Sequence, residues 1–118
     1  MRVMPRSASV AVLLAALLCG LAGAAWSAQV TFSHNAPGAG KVCLAGEFNG
    51  WSDAANPLVN DGGNWSLTLE LAPGTYQYKF VVDGNWKQDP ANPEAAADGF
   101  GGNNSVITVA AGQAAVKV

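Results

Sequence analysis

Charge is scarce in this chain, and ligating or nucleophilic side chains are scarcer still. Only 12% of its 118 residues are charged, and it carries one histidine and two cysteines. One histidine with so few thiols cannot supply a metal cluster or a convincing nucleophile–base pair. The acids Asp53, Asp61, Asp83, Asp89, Glu94 and Asp98 stand in turn-like contexts, where capping and solvation account for them. Hydrolysis of a glycosidic bond needs two carboxyl groups at a fixed separation in a cleft, so an enzyme finds little support. Arginine occurs only at Arg2 and Arg6, and no basic cluster is present. Nucleic acid and anionic membrane surfaces are therefore not expected as partners, and no cofactor or metal is implied.

Those two arginines precede an apolar run from Val10 to Leu21 and a zone of small residues from Ala22 to Ala28. Basic start, short apolar stretch and small residues together read as a signal peptide over residues 1–27. Cleavage after Ser27 fits the small-residue requirement, and cleavage after Ala25 or Ala28 also fits. The competing reading is an uncleaved anchor, for which the run is shorter than the ~20 residues of a membrane span. Export predicts a periplasmic or extracellular protein with no membrane contact after cleavage. The remaining 91 residues suffice for one small domain, expected over 28–110 with a tail over 111–118. Without the leader, four lysines (41, 79, 87 and 117) face eight acids, a net charge of −4. Cys43 is then alone, unable to form an intrachain disulfide, and reads as a small buried hydrophobe.

What remains is a succession of strands and turns with almost nothing helical. Gln29 to His34 and Lys41 to Phe48 read as strands, with His34 an ordinary strand-end residue. A short piece at Pro57 to Asn60 precedes the turn Asp61 to Asn64. Trp65 to Leu71 alternates cleanly, placing Trp65, Leu67, Leu69 and Leu71 inward. Thr75 to Asp83 and Asn85 to Gln88 form a hairpin, a long loop spans Asp89 to Gly102, and Asn103 to Val109 closes the sheet. Turn signals at this spacing indicate an all-β sandwich. The alanine-rich end beyond Val109 reads as frayed or, at best, an edge extension.

Two segments carry chemistry. In KVCLAGEFNGW, Lys41 to Trp51, a strand breaks at Asn49-Gly50, two residues tolerant of positive φ, and an aromatic follows at once. In the hairpin, a two-residue Asp83-Gly84 turn of type I′ sets Val82 opposite Asn85 and Val81 opposite Trp86. Tyr76, Tyr78, Phe80 and Val82 then face the core, while Lys79, Val81 and Trp86 project together from the other face. A lysine covering a surface indole explains that arrangement as well as a ligand platform does.

LAGEFNGWS, the run from Pro73 to Trp86, DPANP at Asp89 to Pro93 and NNSVITV at Asn103 to Val109 occur in order with short spacers. Together they resemble the glycogen-binding domain of AMP-activated kinase β subunits and, more broadly, carbohydrate-binding module family 48. The resemblance spans Val30 to about Val109. It implies an immunoglobulin-like, early-set sandwich of about seven or eight strands that binds α-1,4-glucans without catalysing a reaction. By the same resemblance Trp51 and Trp86 stack on sugar rings, Lys79 and Asn104 hydrogen-bond hydroxyls, and Phe100 stands where the family has a leucine that threads the glucan's curve. The partner implied is an α-glucan, with a glycan-active enzyme as a further candidate. The alternative is an early-set domain that docks a protein through its sheet and binds no sugar.

Overall fold

The strictest alternation in the sequence forms the longest ladder. β1 (Ala28–Asn35) and β4 (Asn64–Leu71) pair antiparallel over eight residues, from Ala28 opposite Leu71 to Asn35 opposite Asn64. Successive side chains point to opposite faces, so one register sorts the whole pair. Ala28, Val30, Phe32, Trp65, Leu67, Leu69 and Leu71 enter or line the core, and Thr31, Ser33, Ser66 and Thr68 face outward. The computed structural model describes residues 27–111 and 115–117; the expected signal peptide lies, but for Ser27, outside the described residues.

The chain is all-β, in two sheets. β3 (Val59–Asp61) and β9 (Ala115–Lys117) flank the first pair, giving the order β3-β4-β1-β9, with β9 parallel to β1. The second sheet contains β2 (Val42–Gly46), β5 (Gly74–Val82), β8 (Asn103–Val109) and β7 (Ala95–Ala97), in the order β2-β5-β8-β7. β6 (Asn85–Lys87) pairs with the far end of β5. Between the sheets lie Val42, Leu44, Tyr78, Phe80 and Val82 from the second sheet, facing Phe32 and Trp65 from the first. Phe32 and Tyr78 meet edge to face with centroids 5.0 Å apart, a favoured aromatic geometry. Trp65 is buried as expected, and its indole N–H donates to the Ala36 carbonyl at 2.9 Å.

The differences from expectation have local causes. The second strand ends at Gly46 rather than Phe48, because Glu47–Asn49 coil into a 3-10 turn. A Cβ at Gly46 would stand 2.6 Å from the Phe48 ring and 2.8 Å from the Gln77 carbonyl, so the chain turns where only glycine fits. The segment 89–102, expected as one long loop, contains β7, whose three alanines give no strand signature yet pair with Asn103 to Ser105. With β9 the strands among the described residues number nine, not seven or eight. His34 is more than a strand end: its ring stacks on Phe80 at 4.8 Å across the sandwich, and burial lowers its pKa, with Asp89 opposing and Lys87 adding.

Asp89 is also not a solvated turn acid. It is buried, accepts the Tyr78 hydroxyl at 2.7 Å, and its backbone N–H donates to Ser105 Oγ at 2.8 Å. Asn92 donates to the same hydroxyl and to the Val106 carbonyl. Burial above all raises the Tyr78 pKa, so the hydroxyl stays protonated as donor to the carboxylate. This network anchors the start of the 89–102 segment, which returns to the outer face of the second sheet.

Candidate functional site

The outer face of the second sheet carries small apolar residues where polar ones are usual. Cys43 pairs with Val81 and Ala45 with Lys79 along β2 and β5, and Val81 pairs on its other side with Trp86. The hairpin register read from the sequence is thus the observed one, with Asp83 at φ 49° and Gly84 at φ 85°. Cys43, Ala45 and Val81 are buried although they point away from the core, because Trp51 packs over them. The indole of Trp86 is 45% exposed.

The position of Trp51 is fixed by a side chain that holds the turn. Asn49 Oδ1 accepts the backbone N–H groups of Gly46 and Ser52, at 3.0 and 3.2 Å. Its Nδ2 donates to the Leu44 carbonyl and to Asn56 Oδ1, at 2.8 and 2.7 Å. The Trp51 N–H donates to the Gly46 carbonyl at 2.9 Å. The positive φ values fall on Gly50 (67°) and Trp51 (61°), not on Asn49-Gly50 as the dipeptide implied. Asn49 acts through its amide rather than its backbone.

All five residues singled out in the sequence line one groove of about 560 Å³: Trp51, Lys79, Trp86, Phe100 and Asn104. Phe100 is 94% exposed, on a loop between Gly99 and Gly101, both at positive φ. Asn104 is buried at the groove floor and donates to Gln77 Oε1 at 2.8 Å. Lys79 Nζ donates to Asp98 Oδ2 at 2.7 Å, an ion pair inside the groove rather than a free head group. That bond, with those from the N–H groups of Phe100 and Gly102, holds the Asp98 carboxyl down at about 2.

Glu47, Gln77, Ala97 and Asp98, which are not among the residues expected from the sequence, complete the lining. Gln77 was legible from strand parity, since it shares the outward face of β5 with Lys79. Asp98 heads an Asp-Gly-Phe-Gly-Gly turn, a capping signal that does not reveal the distant lysine. Glu47 accepts the Gln77 backbone N–H at 2.8 Å, a contact made only by the fold. Among the described residues there is no group of three or more metal-ligating side chains, and no helix is long and apolar enough to cross a membrane.

The arrangement combines flat apolar rings with a few donors and acceptors, which suits a ligand with an apolar face and a hydroxylated rim. Residues 28–115 match the family described as the glycogen recognition site of AMP-activated protein kinase. Protein PTST homolog 2, chloroplastic, of Arabidopsis thaliana is 41% identical over 70 residues, covering 59% of this chain and 13% of that protein. The 5'-AMP-activated protein kinase subunit beta-1 of Sus scrofa is 42% identical over 73 residues, 61% of this chain and 57% of the subunit. The chain therefore spans less than two thirds of the length of these relatives. A maltogenic amylase from S. marinus superposes with a TM-score of 0.53 at 23% identity, over 67% of this chain and 13% of the amylase, a likeness of fold alone.

These relatives overturn the expectation of a periplasmic or extracellular protein. The Arabidopsis protein and Protein FLOURY ENDOSPERM 6 of Oryza sativa subsp. japonica, 39% identical over 71 residues, are chloroplastic by name, and the Sus scrofa protein is a subunit of a protein kinase. The periplasmic or extracellular location expected from the basic, apolar start rests on composition alone, and it does not agree with a kinship that rests on matched residues.

Proposed function

This chain belongs to the family of the AMP-activated protein kinase glycogen recognition site, a non-catalytic carbohydrate-binding module, and from that premise we propose that it binds α-1,4-glucan in the groove described above. The observation that carries the reading is the convergence of Trp51, Trp86 and the exposed Phe100 on one groove with Lys79 and Asn104. In this reading the two indoles stack on the C–H faces of successive glucose units. Asn104, with Gln77 and Glu47 beside it, hydrogen-bonds hydroxyls and sets orientation. Phe100 lies against the concave side of the curved chain. The sandwich is of the immunoglobulin-like, early-set kind, with its domain over 28–110 and a short tail that adds an edge strand.

Covering roughly 100 Å² of indole and sugar C–H surface gains about 2 kcal/mol per ring. Two rings, less the cost of association, give a micromolar to millimolar site. That strength suits a targeting module, and a glycan-active enzyme is the partner such targeting would serve. Titration with maltoheptaose should change indole fluorescence saturably, whereas cellohexaose, whose flatter chain does not curve around Phe100, should not. No response to any α-glucan at millimolar concentration would reject the sugar site and favour the protein-docking alternative.

A further inference from the structure

Phe100 has no packing to hold it. Its side chain is almost wholly exposed, and its neighbours Gly99 and Gly101 sit at φ 83° and 90°, where glycine gives the backbone freedom rather than stiffness. One carboxylate organises the turn. Asp98 Oδ1 accepts the N–H groups of Phe100 at 2.7 Å and Gly102 at 3.1 Å, while the Asp98 N–H donates to the Gly102 carbonyl at 3.1 Å. The other oxygen, Oδ2, takes the Lys79 ammonium at 2.7 Å, bridging 19 residues of sequence to the centre of β5. The two side chains are only 16% and 9% exposed, so the pair is shielded more than a surface ion pair.

We propose that Asp98 is a positioning residue and that the Lys79–Asp98 pair is a latch that holds the Phe100 loop over the groove. The inference rests on the α-glucan reading and changes the part given to Lys79 within it. Lys79 contributes to binding through Asp98, by fixing where Phe100 stands, rather than through a sugar hydroxyl alone. Its ammonium also draws the carboxylate down onto the sheet face, which leaves Asp98 Oδ1 aimed at the two loop N–H groups. Pre-ordering the loop removes an entropy cost that each binding event would otherwise incur.

A double-mutant cycle with Lys79→Met, Asp98→Asn and the combination tests this, read by maltoheptaose titration and by amide hydrogen exchange at Phe100 and Gly102 without sugar. Each single variant should weaken binding about fivefold, the size of one hydrogen bond, and should speed exchange in the loop while leaving global unfolding unchanged. The double variant should bind no more weakly than the worse single one, because both changes open the same latch. Lys79→Arg, which keeps the charge pair, should retain loop protection and most of the affinity. Losses that multiply in the double variant would mean that Lys79 and Asp98 act independently and would overturn the proposal. So would unchanged loop exchange in Lys79→Met. A wild-type protein that ignores maltoheptaose while its loop exchange responds to Lys79→Met would instead sink the glucan reading and leave the latch standing.

Discussion

The two outer faces of this sandwich differ in kind. On the β1–β4 face the outward residues are polar and paired in rows: Thr31 meets Thr68 at 2.9 Å between hydroxyls, and Ser33 stands opposite Ser66. The face of β2, β5 and β6 instead presents Cys43, Ala45 and Val81 beneath Trp51, with Trp86 beside them. Even within the second sheet the contrast is local, for its other end returns to a Thr75–Thr108 pair at 3.2 Å. A solvated sheet face needs only polar side chains to be stable. A small apolar patch roofed by one indole and flanked by another adds little core, a pattern that supports the proposed glucan site on this face rather than on the other.

The largest expected effect belongs to neither outer face. Trp65→Ala removes a buried indole and its hydrogen bond, and should cost about 3–5 kcal/mol in denaturant unfolding. The maltoheptaose affinity of the folded fraction should be unchanged; a loss of affinity in step with stability would mean that the faces are not separable.

Trp86→Ala and Trp51→Ala should each weaken maltoheptaose binding by about 2 kcal/mol, or roughly thirtyfold, whereas Thr68→Val on the opposite face should leave the titration as it is. The two tryptophans should part company in a second assay. Trp51 roofs Cys43, so Trp51→Ala should expose the thiol to a labelling reagent and lower stability, and Trp86→Ala should do neither. Equal labelling in both variants would contradict the roof.

Asn49→Ala strips four hydrogen bonds from the turn that carries Trp51. The Ser52 N–H keeps the backbone carbonyl of residue 49 at 3.4 Å, but the other part-buried partners lose the amide, and the loss should be about 1–3 kcal/mol of stability. Binding should fall with it, and the Trp51 emission should shift toward that of an exposed indole; an unmoved spectrum would show that packing on Val81 places the ring without the amide.

The smallest effect concerns pH. The lowered pKa of His34 means that the folded state prefers the neutral ring. The associated stability is fully present above the unfolded value of 6.5 and is lost as pH falls below it, through the folded value. A His34→Gln variant should flatten that part of the stability profile, with sugar affinity unaffected because the ring lies between the sheets.

Strand parity and turn chemistry were enough to read much of this molecule. The Trp65 to Leu71 alternation, the Asp83-Gly84 turn and the pairing of Val81 with Trp86 all follow from local rules that operate within a few residues. Kinship motifs added Trp51, Lys79, Trp86 and Asn104, each inside a matching run, whereas Phe100 departs from the family's leucine and was placed only by its position in the loop between two runs.

Contacts between distant segments needed the folded chain. Three alanines become β7 only because β8 offers an edge to pair with, and Asp89 is buried only because Tyr78 and Ser105 receive it. The positive φ at Trp51 rather than Asn49 depends on an amide that reaches Leu44 and Asn56. Lys79 finds Asp98 for the same reason. Periodicity encodes which way a side chain points, because that is a property of the backbone at one residue; which group it meets there is set by how the sheets and loops close around it, and that is a property of the whole.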